Sequence, residues 1–352
     1  MMKKIQAALW TTATALAVSQ RGPLPPRLPC SGESCYSVTS LEPHFFPDLQ
    51  PERYKVRYGP FAVPSSFEDR DAEKSFYFRS APPCIDCYVT NIQIDLESPN
   101  GTYANTPNGI FLSHLVMMNL EVDSVTCPLM AEPVFASGNE RAEADLSLHG
   151  TYKAGYYLSH TTLLLFTSEF LNTTPFPSDA IIAIDYEFVP ASLATDSGFK
   201  KVTPVWLDVA GLCSSEIFTA QVPASRTSPE FSLSMAPAWE ADLSGDIISV
   251  TGHVNDGGEN IEFSRNGTVV CDSRASYGDT SGDWGYAGYQ KTTEHISSMS
   301  TCSFETGRIE NGDLFSVTAN YNLTKHRGLE DARGKLSPVR GVGLMYVIKD
   351  EQ

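Results

Sequence analysis

The amino-acid sequence predicts an all-β protein built as two tandem antiparallel β-sandwich domains, on three observations. Short runs rich in β-branched and aromatic residues recur along the whole chain, separated by Pro, Gly, Asn and Ser clusters. No stretch carries a convincing 3.6-residue period, and only 140–148 reads as a short helix. The 352 residues exceed the roughly 250–300 at which a single core stops growing.

Taken in order, 1–19 reads as a secretory signal, with Lys3-Lys4, a modestly apolar run over 5–18, and Ala15 and Ala17 set for cleavage. Residues 20–50 form a Pro-rich arm, with Cys30 and Cys35 placed to staple it. The first sandwich is expected over 51–195, from strands such as YKVRYGPFAV, CYVTNIQIDLES and GIFLSHLVMMNLEVDS. Composition shifts to Ser, Thr and Gly near 191–204, where the domain boundary falls. The second sandwich is expected over 203–349, organised around 245–277. There 246–254 alternates, with Ile248, Val250 and Val254 on one face and Ile247, Ser249, Thr251, His253 and Asn255 on the other. Asn255-Asp256-Gly257-Gly258 reads as a hairpin turn, and Asn266-Gly267 as a second, giving a three-stranded meander with His253 at a polar rim.

Eight cysteines, an even set, together with four N-glycosylation sequons at Asn100, Asn172, Asn266 and Asn322, agree with export into an oxidising compartment. Disulfides are the expected state, Cys84-x-x-Cys87 included, and Cys271 with Cys302 is the preferred local pair. A formal charge of −17 argues against nucleic acid or an anionic membrane as partner, since both require basic patches. Beyond the leader, no segment approaches the roughly 18 apolar residues of a membrane span. A secreted, extracellular protein is expected, and a glycan, peptide or small molecule is the class of partner that remains. Dinucleotide, phosphate-loop, HExxH and GxSxG motifs are all absent from the sequence.

Four motifs in order carry a family resemblance: SHLVMMN from Ser113, Trp206-Leu-Asp-Val, GHVNDGG from Gly252, and GLMYVI from Gly343. Together they resemble secreted fungal proteins with the fold of type II copper monooxygenases, whose parent enzymes are peptidylglycine α-hydroxylating monooxygenase and dopamine β-monooxygenase. The resemblance implies jelly-roll-like sandwiches in tandem, each holding one copper in the parent enzymes. It also implies a catalytic copper on a His-x-His pair and a late methionine, matched here by His253, Asn255 and Met345. Histidine and methionine suit copper(I), whereas a carboxamide is a poor ligand for it. The first-domain copper of the family uses adjacent histidines and a third from a following strand. This chain offers Ser113-His114 and no histidine in TTLLLFTSEFLN, so His114 is the remnant of that site and reads as a core histidine alternating with Leu112, Val116 and Met118.

These residues leave three readings open. The first is a copper-monooxygenase-like protein without two-copper hydroxylase activity. The second is an enzyme or binding protein with at most one copper, held by His253, Met345 and a third residue such as His326, with His295 as a further candidate. The third is a glycan- or surface-binding module working through Trp284, Tyr286 and Tyr289 in a Gly/Asp loop.

Overall fold

In the computed structural model the described residues are 36–65, 73–104, 109–172, 174–213, 228–278, 295–302, 307–329 and 336–350. The signal segment, Cys30 and Cys35, and the loop bearing Trp284, Tyr286 and Tyr289 lie outside them.

The described residues are almost entirely β, as the recurrent β-branched runs predict. The first half contains β1 (Tyr36–Leu41), β2 (Glu52–Val63), β3 (Glu73–Ser80), β4 (Cys87–Glu97), β5 (Ile110–Asp123), β6 (Ala131–Ser137), β7 (Ala144–Asp145), β8 (Ala154–Leu158), β9 (Leu164–Asn172) and β10 (Ser178–Pro190). A short helix, α1 (Ala191–Asp196), leads to the second half. That half contains β11 (Lys200–Asp208), β12 (Glu230–Ser234), β13 (Trp239–Glu240), β14 (Gly245–Val254), β15 (Gly258–Arg265), β16 (Thr268–Tyr277), β17 (Ile296–Met299), β18 (Arg308–Ile309), β19 (Leu314–Asn322) and β20 (Gly341–Lys349).

Among the described residues these strands form three sheets. One runs β1-β2-β10-β4-β8-β11-β20-β14-β18, with β7 beside β4; the others run β3-β9-β5-β6 and β12-β19-β15-β16-β17, with β13 beside β19. Pairings are antiparallel except at β8 and β11, where Ala154 and Gly155 meet Lys200 and Lys201 in parallel. That junction carries the long sheet from one half into the other.

One consequence decides where the candidate site lies. Val205, Val250, Met345 and Val347 pack into the core of the second half. Trp206, Ile248, Val342, Leu344, Tyr346 and Ile348, from the same β11-β20-β14 sheet, pack instead with the aromatic core of the first half. The sheet is therefore buried on both faces, which is why VGLMYVI is a continuous apolar run rather than an alternating one. Tyr346 donates to the carbonyl of Val134 at 3.1 Å across this seam, and a Cys127–Cys213 disulfide also spans the halves.

Several sequence expectations are corrected. β14 pairs with β20 and β18, and β15 with β16 and β19, so β14 and β15 lie in different sheets. The Asn255–Gly258 turn is thus a corner between sheets and not a hairpin. Its Asp256 is buried, accepting from the Ile296 N–H at 3.0 Å and pairing with His295 Nδ1 at 2.6 Å. The Asn266-Gly267 hairpin between β15 and β16 forms as expected, with both residues at positive φ (52° and 77°), the left-handed pair that a tight hairpin requires. A bulge at Ile248 reverses the isoleucines: Ile247 joins Val250 in the second core, and Ile248 faces the first half. The 140–148 helix is absent; that stretch is a turn-rich loop around β7 in which Arg141 and Leu148 adopt left-handed φ. The one α-helix among the described residues, α1, falls within the Ser/Thr/Gly-rich stretch read as the boundary.

Cys271–Cys302 pairs as expected, and Cys84–Cys87 is a disulfide. Asn172 is fully buried and donates to the carbonyls of Val63 and Phe176, so that sequon is closed to a glycan in the folded chain, whereas Asn100 and Asn266 are exposed. No helix among the described residues is long and apolar enough to cross a membrane.

Candidate metal centre

His253 reaches the seam because β14 turns Ser249, Thr251 and His253 away from the second core and toward the first half. All three are buried, so the face read as a polar rim is an internal one. Opposite lies β5. A bulge at Ser113 pairs His114 with Glu169 and Leu112 with Phe170, so Leu112 turns into the first core while His114 turns outward to the seam. His114 is buried as expected, but it faces away from Leu112 instead of sharing its side.

Between them is a cavity of about 20 Å³, lined by His114, His253, Asp208, Arg340, Trp206 and Ser137 among apolar neighbours. That volume suits one water molecule or one ion and little else. Three of the four motifs that carry the resemblance contribute to its lining, through His114, through Trp206 and Asp208, and through His253.

His253 Nδ1 lies 3.0 Å from Glu140 Oε1. Burial would raise the Glu140 carboxyl, but attraction to His253 and the Gly138 N–H, at 2.7 Å, hold it below its ordinary value. An ionised carboxylate only accepts, so Nδ1 donates to Glu140, and in the neutral ring the lone pair is on Nε2. His253 Nε2 is buried with no hydrogen-bond partner. Gly138 makes room for the ring: a Cβ there would sit 2.5 Å from His253 Cε1 and 2.9 Å from the Ser113 carbonyl oxygen.

His114 Nδ1 lies 3.1 Å from Glu169 Oε2, an electrostatic contact too poorly angled for a hydrogen bond. Burial and the neighbouring Arg340 push the His114 imidazolium down to about 4, against the pull of Glu169, so the ring is neutral near pH 7. Arg340 Nη2 also contacts Glu169, at 3.1 Å. Burial pushes the Asp208 carboxyl up to about 6, against the Ala210 N–H at 2.8 Å and the charge of Arg340.

The other expected ligands do not join this point. Met345 sits opposite Val250 and packs in the second core, on the far face of the sheet from His253. Asn255 lies beyond Arg340 in a neighbouring small cavity with Ser113 and Glu169, its Oδ1 buried without a partner. His326 stacks on Tyr277 at 3.7 Å and lines a separate polar groove of about 580 Å³ with Asn260, Arg274 and Lys325. His295 is committed to Asp256 and packs against Phe111. Among the described residues no three His, Cys, Asp or Glu side chains cluster as a metal-binding group. Glu140, Glu169 and Arg340 were not singled out by the sequence, because each acquires its role only through long-range packing; Asp208 lay within a quoted motif.

The chain is 30% identical over 317 residues to the "probable copper-dependent oxygenase M1" of Phoma sp., an alignment covering 88% of this chain and 75% of that protein. It is also 30% identical over 258 residues to the "probable copper-dependent oxygenase clz3" of Cochliobolus lunatus, covering 72% and 77%. The chain belongs to the family of these probable copper-dependent oxygenases. No protein-family model matches this oxygenase-family chain. Among solved structures, PNGF-II aligns over 90% of the chain and 66% of its own at 6% identity with a TM-score of 0.39. PNGase F from Flavobacterium meningosepticum aligns over 78% and 89% at 9% identity with a TM-score of 0.35. Both likenesses are too slight to bear on activity.

The donor set at the seam can be tested against copper on its own chemistry. Neutral imidazole is a good copper ligand, and a ligating histidine ordinarily has its second nitrogen fixed by a carboxylate, the arrangement of His253 and Glu140. An orphaned, buried Nε2 beside an ion-sized cavity fits one copper ion.

Proposed function

We propose that this chain is a secreted member of the copper-dependent oxygenase family that holds at most one copper ion, with His253 as a ligand, and does not carry out two-copper hydroxylation. The single observation that carries the reading is the buried, unpartnered Nε2 of His253, whose other nitrogen is fixed on Glu140. The order of the four sequence motifs supports a relationship to the type II copper monooxygenases. Disulfides among the described residues, together with the leader sequence, support secretion.

Copper bound there supplies one-electron exchange between its cuprous and cupric states. The chain's own residues do the rest. Glu140 holds the imidazole in the tautomer that offers Nε2. Trp206 and Val342, with the packed strands of both halves, restrict the cavity to one small species. Asp208, whose carboxyl burial pushes up to about 6 in the metal-free chain, stands at the cavity wall.

A two-copper hydroxylase stores two reducing equivalents before it meets oxygen; a one-copper chain stores one. Reducing the copper-loaded chain with ascorbate, removing excess reductant and titrating with a one-electron oxidant counts them directly. One equivalent per chain is expected, and two would contradict the reading.

A further inference from the structure

The proposed copper ligand His253 has a counterpart across the cavity, and the two belong to different halves of the chain. His114 comes from β5 and His253 from β14, and both line the same cavity of about 20 Å³. His253 has its Nδ1 on the buried Glu140 at 3.0 Å and its Nε2 without a partner, and His114 has its Nδ1 3.1 Å from the buried Glu169 without a hydrogen bond, so each ring keeps one buried nitrogen that lacks a hydrogen-bond partner. Buried in and around the cavity are three carboxyl groups, Glu140, Glu169 and Asp208, with the guanidinium of Arg340 beside Glu169 and that of Arg141 near Glu140.

We propose that His114 and His253 together bind a single copper(I) ion at the seam between the two halves. This rests on the one-copper reading above and supplies the ligand it lacks. Two imidazoles in low coordination satisfy copper(I), a soft ion that accepts two ligands. They do not satisfy zinc, which takes four, or calcium and magnesium, which require oxygen ligands that the cavity does not assemble. Other members of the site act as positioning residues: Glu140 and Glu169 set the rings, and Arg340 balances Glu169. Because the two ligands come from separate halves, the ion binds only when those halves are docked, and it therefore favours the docked, folded chain.

The test uses the full chain and copper(I) alone, in competition with a colorimetric copper(I) chelator. Wild type is expected to bind one equivalent, with X-ray absorption showing two imidazoles and with a higher thermal midpoint than the metal-free chain. His114→Gln and His253→Ala are each expected to weaken binding by about 100-fold or more, whereas His326→Ala leaves it unchanged. Matching thermal unfolding of the metal-free variants separates loss of a ligand from loss of the fold, and the imidazole count on wild type needs no variant. A copper ion with one imidazole, or His114→Gln binding as tightly as wild type while His253→Ala does not, would overturn the shared site and leave the one-copper reading standing. Binding unaffected by His253→Ala would overturn both, as would a chain that takes up no copper and holds only water in the cavity.

Discussion

Residues at the seam illustrate how burial sets ionisation. Glu140 and Glu169 are buried yet held below the ordinary carboxylate range, because each faces an imidazole and further donors that favour the charged form. Glu132 is the opposite case. Burial pushes its carboxyl up from 4.5 to about 7, and the Tyr156 hydroxyl donating at 2.6 Å, with Lys349 farther off, only partly restrains it. Between those two values the folded chain holds a proton that the unfolded chain has released, so stability falls as pH rises through the window and stays lowered above it. The shift corresponds to on the order of 3 kcal/mol between pH 4 and 8. Glu132→Gln keeps an oxygen acceptor for Tyr156 and removes the titration. Denaturant midpoints should therefore show the variant gaining on wild type as pH is raised from 5 to 8; parallel profiles would contradict this assignment.

At the scale of elements, the loop after β6 does the positioning. Gly138 is followed by Asn139, which donates to the Ile296 carbonyl at 3.2 Å, and by Glu140, which returns to the Gly138 N–H and holds His253. Gly138→Ala places a methyl 2.5 Å from His253 Cε1 and 2.7 Å from Glu140 Oε2. The ring or the loop must shift. A loss of about 1–3 kcal/mol in unfolding free energy, with weakened copper binding, is expected from the strain of such overpacking; unchanged denaturation and copper affinity would show the cradle to be unimportant. This loop also marks a limit of sequence reading. Strands were legible because period-two alternation and turn residues are local signals, and the Asn266-Gly267 hairpin follows from its own dipeptide. Bulges at Ser113 and Ile248 were not legible, since an extra residue leaves composition unchanged while exchanging the faces of everything on one side of it. The corner at Asn255–Gly258 has the same composition as a hairpin; what sends β15 to another sheet is its pairing with β19, a partner some sixty residues downstream. His253 was legible as a candidate and Met345 was misplaced for the same reason: the motifs specify residue types, and only the pairing of β14 with β20 shows which face each occupies.

For the whole molecule, the seam matters more than either half. It is crossed by the β8–β11 junction, the apolar outer face of the β11-β20-β14 sheet, the Arg340–Glu169 pair and the Cys127–Cys213 disulfide. We propose that the halves are two domains fused along this surface. The disulfide closes a loop with a sequence separation of 86, for which a contribution of about 2–4 kcal/mol is typical. Replacing Cys127 and Cys213 together by Ser should lower the unfolding free energy by that order, as read by chemical denaturation. An unchanged midpoint would show that packing alone holds the seam. The central claim, one copper at His253, is met most directly by the copper content of the full chain after loading and passage over a chelating resin. About one ion per chain in wild type and none in His253→Ala is the expected result; two ions per wild-type chain, or one retained by His253→Ala, would contradict it.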